Sequence, residues 1–354
     1  MHPLQRPLIT RSMTAIEKGG CFDIGNSEIP RLKLSVVVPC YNEEKGVREL
    51  HRRVSGVCQD YVGSSYELVL VNDGSRDATW AVMNEIYRSD ERVVAINLSR
   101  NYGHQLALSA GLQVCRGERI FILDADLQDP PELLPQMAAR MDDGCDVVYG
   151  RRLKREGETF FKRASAFAFY RLLDRMVDIE IPSDTGDFRL MSRRAVDILN
   201  GMPEHHRFIR GMVSWIGLRQ EALPYERAPR FAGKTNYPLS KMIRFAIDAV
   251  TGFSVRPLRM ASYIGIIFSI ITLLLLAYVL AHYFTGYNVE GWTSLAVIVL
   301  LLGSTQLLVV GVMGEYLGRL YVESKGRPLF IIQEIVSSPE LSCSAGSNEK
   351  RTIP

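Results

Sequence analysis

Five short apolar runs alternate with helix-like segments in the first half of the chain, and this alternation is the feature that most limits the fold. The runs read as strands at Leu34–Val38, Glu67–Val71, Val93–Leu98, Arg119–Leu123 and Asp146–Tyr149. Helical segments are predicted at Glu43–Cys58, Thr79–Tyr87, Gln105–Val114 and Glu132–Met141. Strands and helices that alternate at this spacing indicate an α/β domain whose mostly parallel sheet is covered on both faces.

Polar and glycine-rich residues crowd the carboxyl ends of these strands, which is where such sheets bind ligands. The strand ends read Pro39-Cys-Tyr-Asn-Glu43, Asn72-Asp-Gly-Ser75, Ser99-Arg-Asn-Tyr-Gly103, Asp124-Ala-Asp126 and Gly150-Arg-Arg152. No GxGxxG follows the first strand and no GxxxxGK[ST] occurs, which disfavours a dinucleotide fold and a P-loop. The sequence therefore predicts a different kind of substrate site at this edge of the sheet.

The fourth strand end carries a cluster of carboxylates within Phe121–Pro131. In an extended chain, the side chains of Asp124 and Asp126 point the same way with Cα atoms ~6.5 Å apart, so they can bracket one hard cation and its phosphates. Oxygen ligands suit Mg²⁺ or Mn²⁺ better than Zn²⁺. An isolated Asp-x-Asp is as often a solvated turn, but the strand before it and the Pro130–Pro131 pair after it favour a binding site.

Composition narrows the class of protein further. The 354 residues hold 42 Lys and Arg against 39 Asp and Glu, a net charge of +3 that is too mild to indicate a nucleic-acid partner. The 6 cysteines show no CxxC pair, which favours reduced thiols in a cytosol-facing protein.

Two long runs without Asp, Glu, Lys or Arg, Ala261–Tyr283 and Thr293–Gly314, lie near the C-terminus. Each exceeds the ~20 residues that a helix needs to cross a bilayer core. Arg256 and Arg259 precede the first run, Arg319 and Lys325 follow the second, and the short connection holds no Lys or Arg. This charge pattern predicts two spans with both flanks in the cytoplasm, the alternative being a pair of buried core helices.

Five motifs together resemble the family 2 glycosyltransferases that charge polyprenyl phosphates. They are Val36-Val-Val-Pro-Cys-Tyr-Asn-Glu43, Val71-Asn-Asp-Gly-Ser75, Ser99-Arg-Asn-Tyr-Gly-His104, Asp124-Ala-Asp-Leu-Gln-Asp-Pro-Pro131 and Asp184-Thr-Gly-Asp-Phe-Arg-Leu-Met191. The subgroup they resemble most is that of the bactoprenol glucosyltransferases, relatives of dolichyl-phosphate mannose synthase with two C-terminal spans. The resemblance runs from about Leu34 to about Phe330.

The resemblance implies a GT-A, Rossmann-like catalytic domain and two C-terminal transmembrane helices. The domain boundaries that follow are a flexible extension at 1–30, the GT-A domain at 31–238, an amphipathic juxtamembrane helix at 239–259, spans at 260–284 and 293–314, a cytoplasmic segment at 315–336 and a disordered tail at 337–354. A basic aromatic segment at 160–177 fits either a helix at the membrane surface or one packed on the sheet.

The resemblance also implies roles for individual residues. The nucleotide would contact Pro39, Tyr41, Glu43, Asp73, Asp124 and Ala125. The metal, Mg²⁺ or Mn²⁺, and the diphosphate would contact Asp124, Asp126 and Gln128. Phosphates would face Arg152, Arg163 and Lys234. Because the donor diphosphate and the acceptor phosphate are both anions, cations are also needed near the acceptor, and Arg151, Lys162 and Arg189 are further candidates. Arg151 and Arg189 are equally well read as ion-pair partners. The expected catalytic residues are Asp187, the base usually proposed in the family, with Asp126 and Arg152.

The chemistry of the acceptor changes what is expected of Asp187. A phosphate monoester has a second pKa of ~6, so the acceptor is mostly dianionic near pH 7 and hardly needs a base. We therefore expect Asp187 to orient Arg189 or another phosphate-binding cation, or to contact the sugar. His104 is expected either to contact the donor or to be structural.

The expected activity is inverting transfer of one sugar, glucose from UDP-glucose, to undecaprenyl phosphate at the cytoplasmic face of the inner membrane. Gln-x-x-Arg-Trp of processive relatives is absent from the sequence, which favours single-sugar transfer. Gly314 and Gly318 form a GxxxG that indicates a homo-oligomer, and similar enzymes include tetramers. The alternatives are GDP-mannose or another nucleotide sugar as donor, a non-lipid acceptor, and a non-catalytic membrane scaffold.

Overall fold

The computed structural model of the chain describes residues 32–153, 185–226, 256–284 and 291–337. The expected N-terminal extension, the basic segment at 160–177, most of the juxtamembrane helix at 239–259 and nearly all of the tail lie outside these residues. So do two of the expected phosphate-binding residues, Arg163 and Lys234.

An eight-stranded mixed sheet forms the centre of the protein, with strand order β7-β5-β6-β4-β1-β2-β3-β8. The strands are β1 (Leu34–Cys40), β2 (Tyr66–Asn72), β3 (Val93–Leu98), β4 (Arg119–Ile122), β5 (Val147–Arg152), β6 (Thr185–Ser192), β7 (Gln220–Tyr225) and β8 (Ile332–Val336). The four strands β4, β1, β2 and β3 are mutually parallel, as is the pair β5 and β7. The strands β6 and β8 run antiparallel to their neighbours.

Helices cover both faces of this sheet. They are α1 (Val47–Val62), α2 (Thr79–Ser89), α3 (His104–Val114), α4 (Leu134–Asp142), α5 (Arg193–Gly201) and α6 (Ile209–Ile216), and a short 3₁₀ turn, Pro131–Leu133, precedes α4. Because side chains alternate along a strand, Val36 and Val38 join one apolar cluster with α1, α2 and α4, while Val37 joins another with α3, α5 and α6. The predicted α/β class, with the sheet covered on both faces, is confirmed.

The strand β6 differs from the sequence prediction. We expected a charged turn at Asp184–Arg189 leading into an apolar run, but the structure has a strand from Thr185 that is buried as far as Met191. It lies antiparallel between β4 and β5, so that β5 does not adjoin β4. Asp187 and Arg189 are tolerated inside this strand because each finds a charged or polar partner, and long-range pairing of this kind leaves no local sequence signal.

Two long apolar helices follow, α7 (Arg256–Phe284) and α8 (Trp292–Ser324). Windows within them at Leu258–Leu275 and Leu301–Ser324 have mean hydropathies of 2.0 and 1.2, with 6% and 0% of their residues buried. By length and composition both helices can cross a membrane. The helix α8 continues to Ser324, well past the end of the predicted span at 314.

The chain after α8 returns to the sheet. It turns at Gly326 and forms β8, which pairs with the edge strand β3. The Tyr87 hydroxyl donates to the Ser337 carbonyl at 3.1 Å. The GT-A domain expected at 31–238 does not include this strand, which is short and mostly exposed and so carries a weak pattern.

His205 joins the loop before α6 to the end of α8. Its backbone N–H donates to Glu323 Oε1 at 2.9 Å, Nδ1 lies 2.7 Å from Glu323 Oε2, and Nε2 lies 2.7 Å from the Arg327 carbonyl oxygen. Both ring nitrogens face acceptors, so both donate and the ring is an imidazolium. The hydrogen bond to Glu323 raises the pKa of His205. We call this group the His205 clamp.

The His205 clamp predicts a pH-dependent stability. Because the pKa of His205 is higher in the folded than in the unfolded protein, its contribution is complete below the unfolded pKa of ~6.5 and disappears as pH rises through the folded value. Thermal unfolding in detergent should show His205→Ala about 3 °C below wild type at pH 6, with the gap closing towards pH 9. The exposed neighbour His206, changed to Ala, serves as control. A gap that stays constant with pH would contradict the charged clamp.

Candidate active site

The loops at the carboxyl ends of β1 and β2 are joined by hydrogen bonds. Asn42 adopts the left-handed region with φ of 56°. Two hydrogen bonds hold it there: its N–H donates to Ser75 Oγ at 3.0 Å, and its Oδ1 accepts from the Arg76 N–H at 2.9 Å. The Glu43 N–H donates to Thr79 Oγ1 at 2.9 Å. These bonds fix the loop that carries the expected nucleotide contacts.

The expected nucleotide-binding residues differ in exposure. Pro39 is buried inside β1, Tyr41 is 41% exposed, and Ala125 is buried. A Cβ on Gly46 would lie 3.4 Å from Glu43 Oε2 and 3.7 Å from the Ala125 carbonyl oxygen. The β1 loop and the acidic turn after β4 are therefore adjacent, as the resemblance requires of residues that share one nucleotide.

Asp73 orders the loop that follows β3. Its Oδ1 accepts the Tyr102 N–H at 2.7 Å and its Oδ2 accepts the Gly103 N–H at 3.0 Å, and burial raises the pKa of this carboxyl. Gly74 has φ of 60°, and a Cβ there would lie 2.5 Å from the backbone carbonyl carbon of Arg100. The carboxylate expected to meet the base thus also holds two backbone amides.

The acidic stretch after β4 forms a turn, which corrects the extended geometry assumed from the sequence. The strand ends at Ile122, and Leu127 adopts the left-handed region with φ of 57°. The Gln128 N–H donates to Asp126 Oδ1 at 3.2 Å. The spacing of Asp124 and Asp126 is therefore set by a tight turn, and a single residue with positive φ is difficult to foresee from sequence.

Asp124 has the character of a cation ligand. Its Oδ1 is buried and has no hydrogen-bond partner in the described part of the chain, and His104 Nε2 lies 3.4 Å from it. Burial and the carboxylates of Asp187, Asp129 and Asp126 raise the pKa of Asp124 to about 6, although the charge of His104 opposes them. A buried acceptor among like charges is stabilised by a divalent cation.

Three side chains of the described residues, His104, Asp124 and Asp187, place ligand atoms within 4.8 Å of one another. Two carboxylates and an imidazole fit Mn²⁺, and the carboxylates alone fit Mg²⁺. In the conformation that the structure gives its side chain, Asp126 does not belong to this group.

Asp187 lies on β6 and is only 2% exposed. Its Oδ2 accepts from His104 Nε2 at 3.1 Å and from Gln105 Nε2 at 2.8 Å, and its Oδ1 accepts from Arg210 Nε at 3.0 Å. Burial alone would raise the pKa of Asp187, but Arg210, His104 and Arg189 outweigh it and hold the pKa well below its usual range. A carboxylate of this kind is a weak proton acceptor.

The expected phosphate-binding arginines are placed differently from one another. Arg189 is buried, donates to the Gly186 carbonyl at 3.1 Å and lies 3.8 Å from Asp187 Oδ1, and burial lowers its pKa to about 10. Its placement matches the ion-pair alternative. Arg151 is exposed, and the Arg152 side chain is 23% exposed. Arg163 and Lys234 lie outside the described residues.

Arg152 belongs to a polar group between β5, β7 and the acidic turn. Its Nε donates to the Tyr225 hydroxyl at 3.3 Å, and its Nη2 lies 3.7 Å from Asp129 Oδ1. The Tyr225 hydroxyl donates to the same Asp129 oxygen at 2.5 Å. The guanidinium is therefore oriented while part of it stays accessible.

The sequence prediction missed three residues of the site: Gln105, Arg210 and Tyr225. Gln105 directly follows the motif that ends at His104, which is a usable signal. Arg210 is the one charged residue in the apolar sequence of α6, a weaker signal. Tyr225 lies on an unpredicted strand, and nothing local marks it.

Comparison with known proteins identifies the family. The sequence profile described as Glycosyl transferase family 2 matches residues 35–199. The uncharacterized glycosyltransferase YkcC of Bacillus subtilis is 48% identical over 304 residues, which cover 86% of this chain and 94% of that protein. The chain belongs to glycosyltransferase family 2, and it is an enzyme of that class. The predicted family is confirmed.

Two further relatives carry more specific names. The prophage bactoprenol glucosyl transferase homolog of Escherichia coli K12 is 37% identical over 305 residues, 86% of this chain and 99% of that protein. The bactoprenol glucosyl transferase of Shigella phage SfV is 38% identical over 303 residues, 85% of this chain and 98% of that protein.

The mixed Rossmann-like sheet is the GT-A arrangement that the resemblance implies, and the predicted fold is confirmed. Among solved structures, S. aureus TarS 1–349 in complex with UDP-GlcNAc aligns with a TM-score of 0.44 and 20% identity, covering 62% of this chain and 65% of that chain. A likeness at this level does not bear on function.

The space beside Gly186 offers a test of the placement of Arg152. A Cβ at this position would lie 2.7 Å from Arg152 Nη2, which is the mobile end of a long side chain. Gly186→Ala should displace the guanidinium and lower sugar transfer about tenfold, while the thermal unfolding midpoint changes little. Gly201→Ala, where a Cβ meets nothing within 4 Å, is the control. Unchanged transfer by Gly186→Ala would show that the orientation of Arg152 does not matter.

Proposed function

We propose that this glycosyltransferase transfers one sugar, glucose from UDP-glucose, to undecaprenyl phosphate with inversion, at the cytoplasmic face of the inner membrane. The observation that carries the proposal is the buried Asp124 Oδ1 without a hydrogen-bond partner in the described part of the chain, which lies among carboxylates at the ligand-binding edge of the sheet. The names of relatives at 37% and 38% identity support the lipid acceptor and the glucose.

The donor would bind at the carboxyl ends of β1, β2 and β4. The exposed ring of Tyr41 offers a stacking face for the base, and Pro39, Glu43, Asp73 and Ala125 would surround the nucleoside. In the proposed site Asp124, Asp126 and Gln128 would hold Mg²⁺ or Mn²⁺. Such a cation neutralises the charge that develops on a departing diphosphate.

The lipid phosphate would be received by arginines near the acidic turn. Arg152 is the best placed of the described residues, because it is oriented by Tyr225 and Asp129 and is partly accessible. Arg151 is exposed next to it, and Arg163 and Lys234 complete the proposed set. The donor diphosphate and the acceptor phosphate are both anions and must approach each other, which calls for cationic side chains. Guanidinium groups suit this task because their bidentate contacts hold a phosphate in a fixed direction.

Asp187 is proposed as an orienting carboxylate. It accepts hydrogen bonds from three side chains, and its pKa lies well below the usual range. The acceptor phosphate is already mostly dianionic near pH 7, so Asp187 has hardly any proton to remove from it. Its partners in the described residues are His104, Gln105 and Arg210 rather than mainly Arg189, the cation expected from the sequence.

Membrane attachment through α7 and α8 would keep this site at the inner leaflet, with the catalytic domain and both flanks of the helices in the cytoplasm. A homo-oligomer, with a tetramer as one candidate, is part of the proposal. Cβ atoms built on Gly314 and Gly318 of α8 meet nothing within 4 Å, so this face has room for a second helix.

The activity is tested with purified protein in detergent, undecaprenyl phosphate, Mn²⁺ or Mg²⁺, and a panel of radiolabelled nucleotide sugars that includes UDP-glucose and GDP-mannose. We expect label from UDP-glucose in the organic phase, with loss of at least ~100-fold in EDTA and in Asp126→Ala. If label reaches the lipid from a different nucleotide sugar, the transferred sugar is not glucose and the proposal is wrong on that point. If no donor labels lipid while UDP still binds with metal, the lipid acceptor is wrong.

The role of Asp187 is tested by the pH dependence of Asp187→Asn. With an orienting role, kcat should fall ~100-fold or more at every pH, because the lost interaction does not depend on the ionisation of the acceptor. Transfer rates of wild type and variant are compared between pH 6 and pH 9. Activity that returns in proportion to acceptor ionisation would show that Asp187 removes a proton.

A further inference from the structure

Tyr225 is the last residue of β7, and it is paired with Arg152 in the parallel ladder between β7 and β5. The Tyr225 carbonyl oxygen accepts the Leu153 N–H at 3.0 Å. Paired residues on neighbouring parallel strands direct their side chains to the same face of the sheet. The backbone therefore places the Tyr225 ring and the Arg152 guanidinium together at the edge that carries the acidic turn.

The packing of its ring fixes where the Tyr225 hydroxyl lies. Phe121 of β4, Phe188 of β6 and Tyr225 form a row of aromatic rings, with centroid distances of 5.4 Å and 5.3 Å along the row. Gly150 of β5 leaves the space for this row, because a Cβ there would lie 2.4 Å from Phe188 Cδ1 and 2.7 Å from Tyr225 Cε1. Tyr225 is 4% exposed. A ring enclosed in this way holds its hydroxyl in one place.

The direction of each hydrogen bond at this hydroxyl follows from the groups around it. A guanidinium has donors and no acceptor, so the Tyr225 oxygen accepts from Arg152 Nε at 3.3 Å. The single hydroxyl proton is donated to Asp129 Oδ1 at 2.5 Å, and the side chain of Asp129 is fully buried. With its proton on Asp129, the hydroxyl presents a lone pair to Arg152.

We propose that Tyr225 is a positioning residue whose hydroxyl holds Arg152 in the direction in which its guanidinium binds a phosphate of the substrates. This inference rests on the proposed sugar transfer. Tyr225 occupies the Nε donor, while Nη1 and Nη2 carry the other four N–H groups of the guanidinium. Two parallel N–H bonds from a guanidinium to a phosphate need a defined orientation of the guanidinium plane. The phosphate belongs either to the acceptor lipid or to the donor diphosphate.

A double-mutant cycle tests whether Tyr225 acts through Arg152. The wild type, Tyr225→Phe, Arg152→Gln and the double variant are compared for kcat and KM in the lipid-labelling assay. Tyr225→Phe keeps the ring and removes only the hydroxyl. We expect it to lower kcat/KM ~10-fold when Arg152 is present, and less than ~2-fold once Arg152 is replaced.

Tyr61→Phe is the matched control. The Tyr61 hydroxyl also accepts from an arginine, Arg119 Nη1 at 3.0 Å, but this arginine is the first residue of β4 and the acidic turn follows the other end of that strand. The control removes the same kind of hydrogen bond away from the site and should transfer sugar as the wild type does. Thermal unfolding of all variants separates loss of fold from loss of orientation.

Two results overturn the proposal. Unchanged kcat/KM in Tyr225→Phe would show that the hydroxyl does not contribute to the reaction. An equal loss in the wild-type and Arg152→Gln backgrounds would show that the hydroxyl acts without Arg152, since independent effects add.

The two KM values identify the phosphate. A KM for undecaprenyl phosphate that rises in both Tyr225→Phe and Arg152→Gln indicates the acceptor, and a KM for UDP-glucose that rises in both indicates the donor diphosphate. If the wild type labels no lipid, the proposed function fails on its own, and the same proteins are titrated with inorganic phosphate and with UDP in Mn²⁺. An affinity that Tyr225→Phe lowers only while Arg152 is present supports the positioning role. Affinities unchanged for both ligands, or lowered equally in both backgrounds, overturn it.

Discussion

The site depends on the hydrogen bonds and ion pairs that the buried carboxylate of Asp187 makes. It lies on a strand between β4 and β5, and it is bound by side chains from the start of α3 and from α6. Removing one partner from a buried charge is destabilising, since part of that charge is left without compensation. The same carboxylate therefore joins three elements, its own strand β6 and the helices α3 and α6. Its chemical role follows from this burial: a group fully engaged with donors orients other residues.

The end of α8 links the site to the proposed membrane anchor. This helix has 33 residues, which at ~1.5 Å per residue makes it longer than the ~30 Å core of a bilayer. The C-terminal end of α8 contacts the catalytic domain through the His205 clamp, and β8, which follows the helix, pairs with the edge of the sheet. In the proposed membrane arrangement, these contacts would hold the catalytic domain close to the membrane surface.

Sequence reasoning recovered the parts of the fold that have local periodicity. The strands β1 to β4 and the helices between them were predicted because their apolar patterns are short-range, and Asp124 was found because it directly follows such a strand. The strand β6 was missed because Asp187 and Arg189 interrupt its apolar pattern, and their partners lie far away in sequence. The turn at Leu127 and the contacts of Gln105 and Arg210 with Asp187 exist only in the folded chain. The candidate site was thus predicted in location and in its acidic residues, whereas the hydrogen bonds that assign their roles required coordinates.

In the proposed function, the acidic turn after β4 binds a divalent cation together with a nucleoside diphosphate. Anomalous X-ray scattering from crystals of the full chain grown with Mn²⁺ and UDP tests this claim most directly. We expect one strong anomalous peak within direct coordination distance of Asp124 Oδ1, next to the diphosphate. A bound UDP whose diphosphate has no manganese peak at Asp124 would contradict it.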